Sequence, residues 1–511
     1  MAKKKPVRGL FPDTFRDHLL NEISGLQYEE PTDQCGLIYL AWGCQSSRYD
    51  HRSLGCEGYK FLPYQVTARL FDRGRTRRRF NTINQRVGMF EVLSWDKHYG
   101  EARPYRPKPI LRQAYLSYST AFPVVPDKPA QLIDVNTGCV VGTLRGNAVL
   151  SKDSNNRTAQ TQAQDRAKIN PYCPVNIPEL QGAEMMLTEL RHQVSQGRDN
   201  VFITEQLEFF GYDGTEHRNL GIWMDLRLEN LTHILHLANT TACPYSNIPS
   251  GYIEHQSGRL YAATYPHLQN VPRELKRIAL AGCWEYDFAN CHYSLLHQLA
   301  GKEGYEAANI QHYIDNKAKV RHQVAEDVGL TANQVKEALL TLIYGASTRK
   351  GETNPYFSQN TLLNICGWNK EKHLALLNHP LFHGLSRDLE KGRDLITAAA
   401  PRSRGGIKNL MGKYTDRSNR KSQILAHLLQ GAEAWCLNTI LRHYGEQIIL
   451  LQHDGWNTTD RLDVGEMELV VARDTGFEIR IEEEHLPVDN LTQRWKAWME
   501  NDLESGIYKS T

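Results

Sequence analysis

Residues 285–292 read EYDFANCH and residues 450–456 read LLQHDGW, and each segment carries one aspartate beside a strand-like run. Asp287 precedes a helical pattern, and Asp454 follows the apolar run 448–451, which predicts a buried strand. Alone, either aspartate is typical of a turn or a helix cap. Together, at the ends of adjacent strands, they predict a cleft that holds divalent cations, because magnesium prefers carboxylate oxygens.

A second motif is NQVKEALLTLIYG (333–345), which predicts a helix that begins after an N-cap at Thr331. Its residues Lys336, Leu340 and Tyr344 follow one another at intervals of four and therefore share one face of the helix. A lysine on that face can hold phosphates while the aromatic ring packs on a base pair. The same spacing also fits an ordinary amphipathic helix with a surface lysine.

A long helical pattern that contains AHLLQGAEA (426–434) follows two arginines, Arg417 and Arg420. These arginines could contact the phosphates of a nucleic-acid strand. Gln430 could reach a base edge or a sugar. Gly431 indicates close approach of another backbone, because a glycine inside a helix costs about 1 kcal/mol relative to alanine.

The composition is that of a globular protein, with 511 residues, 41% hydrophobic residues and a net charge of +2. Two basic stretches, 69–86 and 402–421, are either phosphate-binding surfaces or solvated faces. Ten cysteines without a C-x-x-C pair favour a reduced, cytoplasmic protein. The start of the chain lacks a secretory signal, and no run of ~20 apolar residues predicts a membrane span.

Over residues 250–490, the order and spacing of five motifs resemble family A DNA polymerases and the related single-subunit, phage-type RNA polymerases. The motifs are SGRL (257–260) with LQN (268–270), EYDFANCH (285–292), KEALLTLIYG (336–345), LLQG (428–431) and LLQHDGW (450–456). The resemblance implies an α+β right-hand fold with palm, fingers and thumb, preceded by an unrecognised N-terminal domain.

The resemblance also implies a division of the chain into five segments. These are a basic N-terminal domain with a nucleic-acid contact (1–125), a hairpin plus a helical thumb-like region (126–245), a palm segment (246–300), fingers (301–410) and the C-terminal part of the palm (411–511).

Roles for individual residues follow from the same resemblance. The residues that the resemblance implies to act in catalysis are Asp287, Asp454, Lys336, Tyr344 and His453. Asp287, Asp454 and the backbone carbonyl of Phe288 are the implied ligands of two magnesium ions, with manganese as an alternative. Residues implied to contact the nucleotide, primer or template are Arg259, Gln269, His292, Leu340, Gly345, Arg417, Arg420 and Gln430.

Several positions depart from the DNA polymerase pattern. Ala332 replaces an arginine, Leu340 an aromatic residue, and His292 and Gly455 each replace a glutamate. Arg321 or His322 could supply the charge that is missing at position 332. The departures at 292, 340 and 455 favour an RNA polymerase or primase that starts chains without a primer, whereas SGRL, LQN and LLQG favour a DNA polymerase.

The leading hypothesis is therefore a family A type DNA polymerase that uses nucleoside triphosphates on a nucleic-acid template. The alternatives are an RNA polymerase or primase, and a catalytically inactive polymerase fold that binds nucleic acid. No Asp-x-Glu in a strand context occurs in the N-terminal half, so no proofreading exonuclease is expected. A phage or plasmid origin, with action in the host cytoplasm, fits the compact design.

Overall fold

The structure, a computed structural model, mixes α-helices with antiparallel sheets. It describes residues 10–45, 60–63, 78–92, 102–121, 131–134, 139–143, 168–198, 201–212, 220–239, 246–255, 257–262, 267–348, 361–403 and 406–504. No helix within these ranges is long and apolar enough to cross a membrane.

The helices are numbered in chain order. They are α1 Asp13–Glu22, α2 Pro31–Gln45, α3 Arg78–Val87, α4 Pro109–Ala121, α5 Ile177–Ser195, α6 Val201–Phe209, α7 Leu220–Ala238, α8 Arg273–Ala279, α9 Cys291–Lys302, α10 Ala308–Asp315, α11 Lys317–Val328, α12 Ala332–Ile343, α13 Thr361–Ile365, α14 Lys370–Asn378, α15 Pro380–Ala399, α16 Lys421–Tyr444, α17 Val464–Thr475 and α18 Leu491–Glu504.

The strands are short. They are β1 Leu10–Pro12, β2 Lys60–Pro63, β3 Phe90–Val92, β4 Ala102–Pro107, β5 Gln131–Asp134, β6 Val140–Thr143, β7 Tyr172–Pro174, β8 Asn247–Pro249, β9 Tyr252–Glu254, β10 Leu260–Ala262, β11 Trp284–Phe288, β12 Arg402–Ser403, β13 Gly406–Lys408, β14 Tyr414–Thr415, β15 Ile448–Leu451, β16 Gly455–Thr458 and β17 Ile481–His485.

The N-terminal residues form a core of their own, in which α1 to α4 pack with two three-stranded sheets. The predicted hairpin is present as β5 and β6, although its turn at 136–138 lies outside the described residues. β5 also pairs with β1, and Ile133 is buried in the N-terminal core. A boundary at 125 is therefore wrong for these strands, which belong with the residues before it.

The stretch 103–110, whose prolines favour a linker, instead supplies the middle strand β4 and the first turn of α4. β4 pairs with β2 over 102–105 and with β3 over 105–107. Most of its residues consequently have only one bonded edge, which is where a sheet tolerates proline.

The helical region expected within 126–245 contains α5, α6 and α7. Asn176 caps α5 by accepting a hydrogen bond from the Glu179 backbone N–H at 3.2 Å. The apolar faces of these helices form a second core with α8, α18 and two residues of β15, Ile449 and Leu450.

The sheet that positions the motif residues has the order β15-β16-β11-β17 and is antiparallel throughout. All four residues of β15 are buried, as its apolar sequence predicts. Tyr286 of β11 stacks on Trp456 of β16 with ring centroids 5.7 Å apart. This stack fixes β11 against β16 at the point where the two motif aspartates emerge.

A third core joins this sheet to α9–α17. Within it, α12 begins where the sequence predicts, with a capping box between Thr331 and Gln334. α12 ends at Ile343 with Tyr344 as its C-cap, and Gly345 takes a left-handed conformation with φ 85°. The expected boundary at 410 falls inside the small sheet β12-β13-β14, so a division at that point would cut a paired element.

Candidate active site

Asp287 and Asp454 lie on neighbouring strands of the central sheet. Asp287 is paired across the ladder with Gly455, directly after Asp454, and the Phe288 backbone N–H donates to the Asp454 carbonyl at 2.9 Å. A side chain at position 455 would not fit, because a Cβ there would come within 2.5 Å of the Tyr286 carbonyl oxygen. Glycine at 455 therefore lets the two strands bring both aspartates together.

The electrostatics of this pair favour a cation. The pKa of Asp287 is raised, first by desolvation and then by the negative charges of Asp454 and Glu482. Desolvation and Glu433 raise the pKa of Asp454. A bound divalent ion would reduce the repulsion between these carboxylates, and magnesium prefers oxygen ligands of this kind. The donor set thus fits the implied metal, although the described residues contain no group of three or more His, Cys, Asp or Glu side chains arranged to hold one.

Glu482 is a third carboxylate at the same edge of the sheet. It lies opposite Asp287 in the β11–β17 pairing, so both side chains point to one face. Lys317 at the start of α11 forms an ion pair with Glu482. The ion pair brings the N-terminus of α11 next to the aspartates.

The exposed face of α12 carries the three residues predicted to share it. Leu340 is 47% exposed and Tyr344 40% exposed, and Lys336 is also exposed, whereas Val335 and Leu339 are buried in the core. The face is therefore the solvent side of α12, as expected for a ligand-binding face and also for the surface lysine of an ordinary amphipathic helix. The ligand-binding role of its lysine, leucine and tyrosine stays a prediction.

Positive charge gathers around Lys336. Desolvation and then the charges of Arg321, Arg273 and Lys317 lower the pKa of Lys336, while Asp287 raises it. Arg321, which sequence reasoning named for the missing charge, is held by hydrogen bonds from its Nε and Nη2 to the Tyr313 hydroxyl at 2.9 and 2.6 Å. The arrangement is a cluster of cations near Asp287, and a cluster of this kind is suited to a polyphosphate.

A buried network lies behind the two aspartates. Arg259 Nε donates to Glu433 Oε1 at 2.6 Å, and His292 Nε2 lies 2.9 Å from Glu433 Oε2. The Tyr344 hydroxyl is 2.9 Å from His292 Nδ1. Burial by itself would raise the pKa of Glu433, but the bonds and charges of His292 and Arg259 lower it below its usual value.

Two residues predicted to contact nucleic acid are bound within the protein. Gln269 is buried; its Oε1 accepts from the Ala262 N–H at 2.6 Å, and its Nε2 donates to the carbonyls of Leu260 and Leu451. Because both ends of the amide bind backbone, Gln269 joins β10 to β15, and its contact with nucleic acid stays a prediction. Arg259, predicted at the primer end, is only 11% exposed and is paired with Glu433.

Gly431 also differs from its prediction. The group that approaches it is the side chain of Asn409, not a backbone, and a Cβ at 431 would come within 2.5 Å of Asn409 Cγ. Gln430, the neighbouring residue, is half-buried on α16, and its contact with a base or sugar stays a prediction.

The remaining predicted residues border the same region. His453 is half-buried and packs its ring against Tyr261 at 4.8 Å. A Cβ on Gly345 would come within 2.5 Å of Ser422 Cβ, so Gly345 allows the end of α12 to approach α16. Arg417 and Arg420 are exposed just before α16, and the roles predicted for them stay predictions. Residues 78–86 of the basic stretch 69–86 lie in α3, and residues 69–77 are outside the described residues.

Sequence reasoning missed three charged residues of this region. Glu433 stands in the apolar run LLQGAEAWC, and a lone acid in a buried helix signals a paired charge. Glu482 belongs to the acidic strand IEEEH, whose alternation gives no sign of which glutamate faces Asp287. Arg273 had no signal of its own, because only the fold brings α8 beside α12.

Comparisons with known proteins add little. No protein-family model matches the sequence, and no curated protein matches it. Among solved structures, the chain is similar to the POL domain of Pol1 from M. smegmatis in complex with a DNA primer-template and dNTP, at 14% identity and a TM-score of 0.40. The similarity covers 66% of this chain and 70% of that one. At this TM-score no argument about activity rests on the likeness.

Proposed function

We propose that the chain is a template-directed nucleotidyltransferase, most specifically a DNA polymerase of family A type without a proofreading site. One observation carries the proposal: Asp287 and Asp454 meet at adjacent strands, and Lys336 on the exposed face of α12 lies near enough to Asp287 for the aspartate to raise its pKa. Carboxylates beside a cluster of cations are what transfer from a nucleoside triphosphate requires. In this proposal the sheet β15-β16-β11-β17 is the palm, α10–α15 the fingers and α5–α7 the thumb.

Asp287, Asp454 and the backbone carbonyl of Phe288 would hold two magnesium ions, or manganese, which lower the charge on the reacting phosphate when bound. The primer 3′-hydroxyl attacks the α-phosphate; the new P–O bond forms as the bond to pyrophosphate breaks, and the hydroxyl proton passes to solvent water. Lys336, with Arg321 nearby, binds the β- and γ-phosphates and then the leaving pyrophosphate. Catalysis is positioning plus charge neutralisation.

Other residues would orient the two substrates. The ring of Tyr344 and the side chain of Leu340 pack against the new base pair, because both are exposed on the lysine face. His453, beside Asp454, lies toward the primer terminus. Arg417 and Arg420 contact template phosphates ahead of α16.

The first experiment is magnesium-dependent extension of an annealed primer, with dNTPs and rNTPs in separate reactions and with a primer-free reaction beside them. Extension with dNTPs supports the DNA polymerase. Ribonucleotide products without a primer would replace it with an RNA polymerase or primase. DNA binding without any incorporation would favour the inactive fold.

Asp454→Asn is the decisive variant. It removes one charge from the pair without changing side-chain size, so incorporation should fall by at least about 10³-fold while template affinity changes less than about twofold. Asp460→Asn is the matched control, because Asp460 is exposed in the turn after β16. Full activity in Asp454→Asn, or equal losses in the two variants, would overturn the assignment.

A further inference from the structure

Four side chains from four separate segments form one hydrogen-bonded series beside the aspartates. Arg259 precedes β10, Glu433 is in the middle of α16, His292 is in the first turn of α9, and Tyr344 caps α12. The contacts run from Arg259 to Glu433, from Glu433 to His292 and from His292 to Tyr344. The series therefore joins the central sheet region to the helix that carries Lys336.

Glu433 is the centre of the series. Its side chain is fully buried, and both oxygens are used: Oε1 by Arg259 Nε, and Oε2 by His292 Nε2 and by Arg259 Nη2. A buried ion pair of this kind contributes little net stability compared with apolar residues of the same volume. What it does provide is a fixed geometry for its partners, because each partner has one low-energy orientation around the carboxylate.

His292 Nε2 has two neighbours, Glu433 Oε2 at 2.9 Å and Arg259 Nη2 at 3.1 Å, and its Nδ1 lies 2.9 Å from the Tyr344 hydroxyl. With its proton on Nε2, His292 donates to Glu433 and accepts from the tyrosine; with its proton on Nδ1, it donates to the tyrosine oxygen and accepts from Arg259. In either tautomer His292 joins Tyr344 to the Arg259–Glu433 pair. Burial raises the pKa of Tyr344 to about 12, so its hydroxyl stays protonated. The rings of His292 and Tyr344 also meet edge to face at 5.4 Å. Two contacts thus fix the tyrosine ring.

The fixed ring is at the surface of the cleft. Tyr344 is 40% exposed although its hydroxyl is bonded, so the hydroxyl end is held inward and part of the ring remains free for a ligand. It lies one helical turn beyond Leu340 and two beyond Lys336.

We infer that Glu433 is a positioning residue for the incoming nucleoside triphosphate, acting through His292 to hold the ring of Tyr344 where the nucleotide packs. The inference rests on the proposed function, because it takes the ligand of the Lys336 face to be a nucleotide. Glu433 itself does not touch the ligand. Its removal should change nucleotide affinity more than the rate of the chemical step.

The test uses the full chain and two readouts. The first is the Kd of a dNTP for the protein on a primer-template ended by a dideoxynucleotide, where no bond can form. The second is KM and kcat for addition of one nucleotide to an ordinary primer. The variants are Glu433→Gln, Tyr344→Phe and the double variant.

Each single variant should raise the Kd and KM about tenfold, the effect of losing one charged or buried hydrogen bond, with kcat changed less than about threefold. The double variant should be no worse than the poorer single one, because both changes break the same series. Tyr344→Phe removes only a hydroxyl from a partly exposed ring, so it remains informative if Glu433→Gln fails to fold.

Asp388→Asn is the control for a purely structural effect. Asp388 is a buried carboxylate in the same core, and it accepts bonds from the Tyr305 hydroxyl and from Asn309. This variant should lower the thermal midpoint and leave the Kd unchanged.

The outcomes separate the inference from the proposed function. In the first outcome, the wild type extends the primer, but Tyr344→Phe leaves the Kd of the dNTP unchanged or the double variant shows additive losses of dNTP affinity. This outcome overturns the role of Glu433 and leaves the polymerase proposal intact. In the second outcome, the wild type binds the dNTP without extending the primer, and the variants weaken that binding non-additively. This outcome overturns the polymerase proposal and supports the positioning role of Glu433. A wild type that neither binds nor extends overturns both.

Discussion

At the scale of single residues, Lys336 shows how distant segments gather charge at one place. It lies on the exposed face of α12; burial and then the charges of Arg321, Arg273 and Lys317 lower its pKa, while Asp287 raises it. These cations repel one another, and a bound anionic ligand would reduce that repulsion. In the proposed function this ligand is the triphosphate of a nucleotide.

Lys336→Ala should raise the KM for the nucleotide about 10- to 100-fold, because one charged contact to phosphate is worth roughly 1.5–3 kcal/mol. The unfolding midpoint should stay the same or rise slightly, since the change removes repulsion. Steady-state incorporation and a urea titration measure the two effects. Lys319→Ala, on the exposed side of α11, is the control; equal KM changes in both variants would contradict a specific role.

His267 makes a separate prediction about pH. It is buried, its Nδ1 accepts from the Gln269 N–H at 3.0 Å, and burial lowers its pKa to about 3. The unfolded chain binds a proton at this histidine below about pH 6.5, and the folded chain does not until far lower pH. Stability is therefore full above pH 6.5 and falls as the pH drops toward 3.

Between pH 7 and 5 the wild type should lose about 2 kcal/mol more unfolding free energy than His267→Asn, which keeps an acceptor near Gln269 but cannot take a proton. Urea unfolding at the two pH values measures this difference, and groups shared by both proteins cancel. Equal losses in the two proteins would show that His267 is protonated in the folded chain.

At the scale of elements, α16 is organised around a glycine and an asparagine. Asn409, from the turn between β13 and β14, packs over Gly431 and donates to the carbonyls of Ser257 and His427. One side chain thereby ties α16 to the small sheet and to the segment before β10. The same contact holds the part of α16 that carries Glu433.

Gly431→Ala should destabilise the protein by about 1–3 kcal/mol, because the new methyl group meets Asn409 and overpacks the core. Gly301→Ala, near the end of α9, is the matched change: no atom lies within 4 Å of the added Cβ, so helix propensity should give a gain of up to about 1 kcal/mol. Urea denaturation measures both. A neutral Gly431→Ala would mean that Asn409 moves aside freely.

At the scale of the whole molecule, the described residues form three apolar cores, and polar contacts link them. One of them connects the N-terminal core to the helical core, where Arg112 Nη1 on α4 lies 2.5 Å from Glu229 Oε2 on α7. Both side chains are largely buried. Burial raises the pKa of Glu229, and the charge of Arg112 opposes that rise.

Arg112→Ala should lower the unfolding free energy by about 1–2 kcal/mol, because it leaves a buried carboxylate without its partner. Arg112→Ala combined with Glu229→Gln should cost less than Arg112→Ala alone, since no charge is then stranded. Thermal and urea unfolding of both variants measure this. A double variant that is less stable than the single one would contradict the link.

The sequence by itself determined the local features of this protein. Periodicity and capping predicted α5 to α7, α12 with its Thr331 cap and buried β15, because these depend on residues within one or two turns. It also singled out Asp287, Asp454 and the shared face of Lys336, although the chemistry assigned to them is still a proposal.

Tertiary structure decided everything that depends on distant segments meeting. It gave Gln269 a bridging role, buried Arg259 against Glu433, moved the hairpin into the N-terminal core and gathered Arg273 and Arg321 around Lys336. The physical reason is that a polar side chain has the same local pattern whether it faces solvent or a partner. Only the packed chain fixes which neighbour satisfies its hydrogen bonds and its charge.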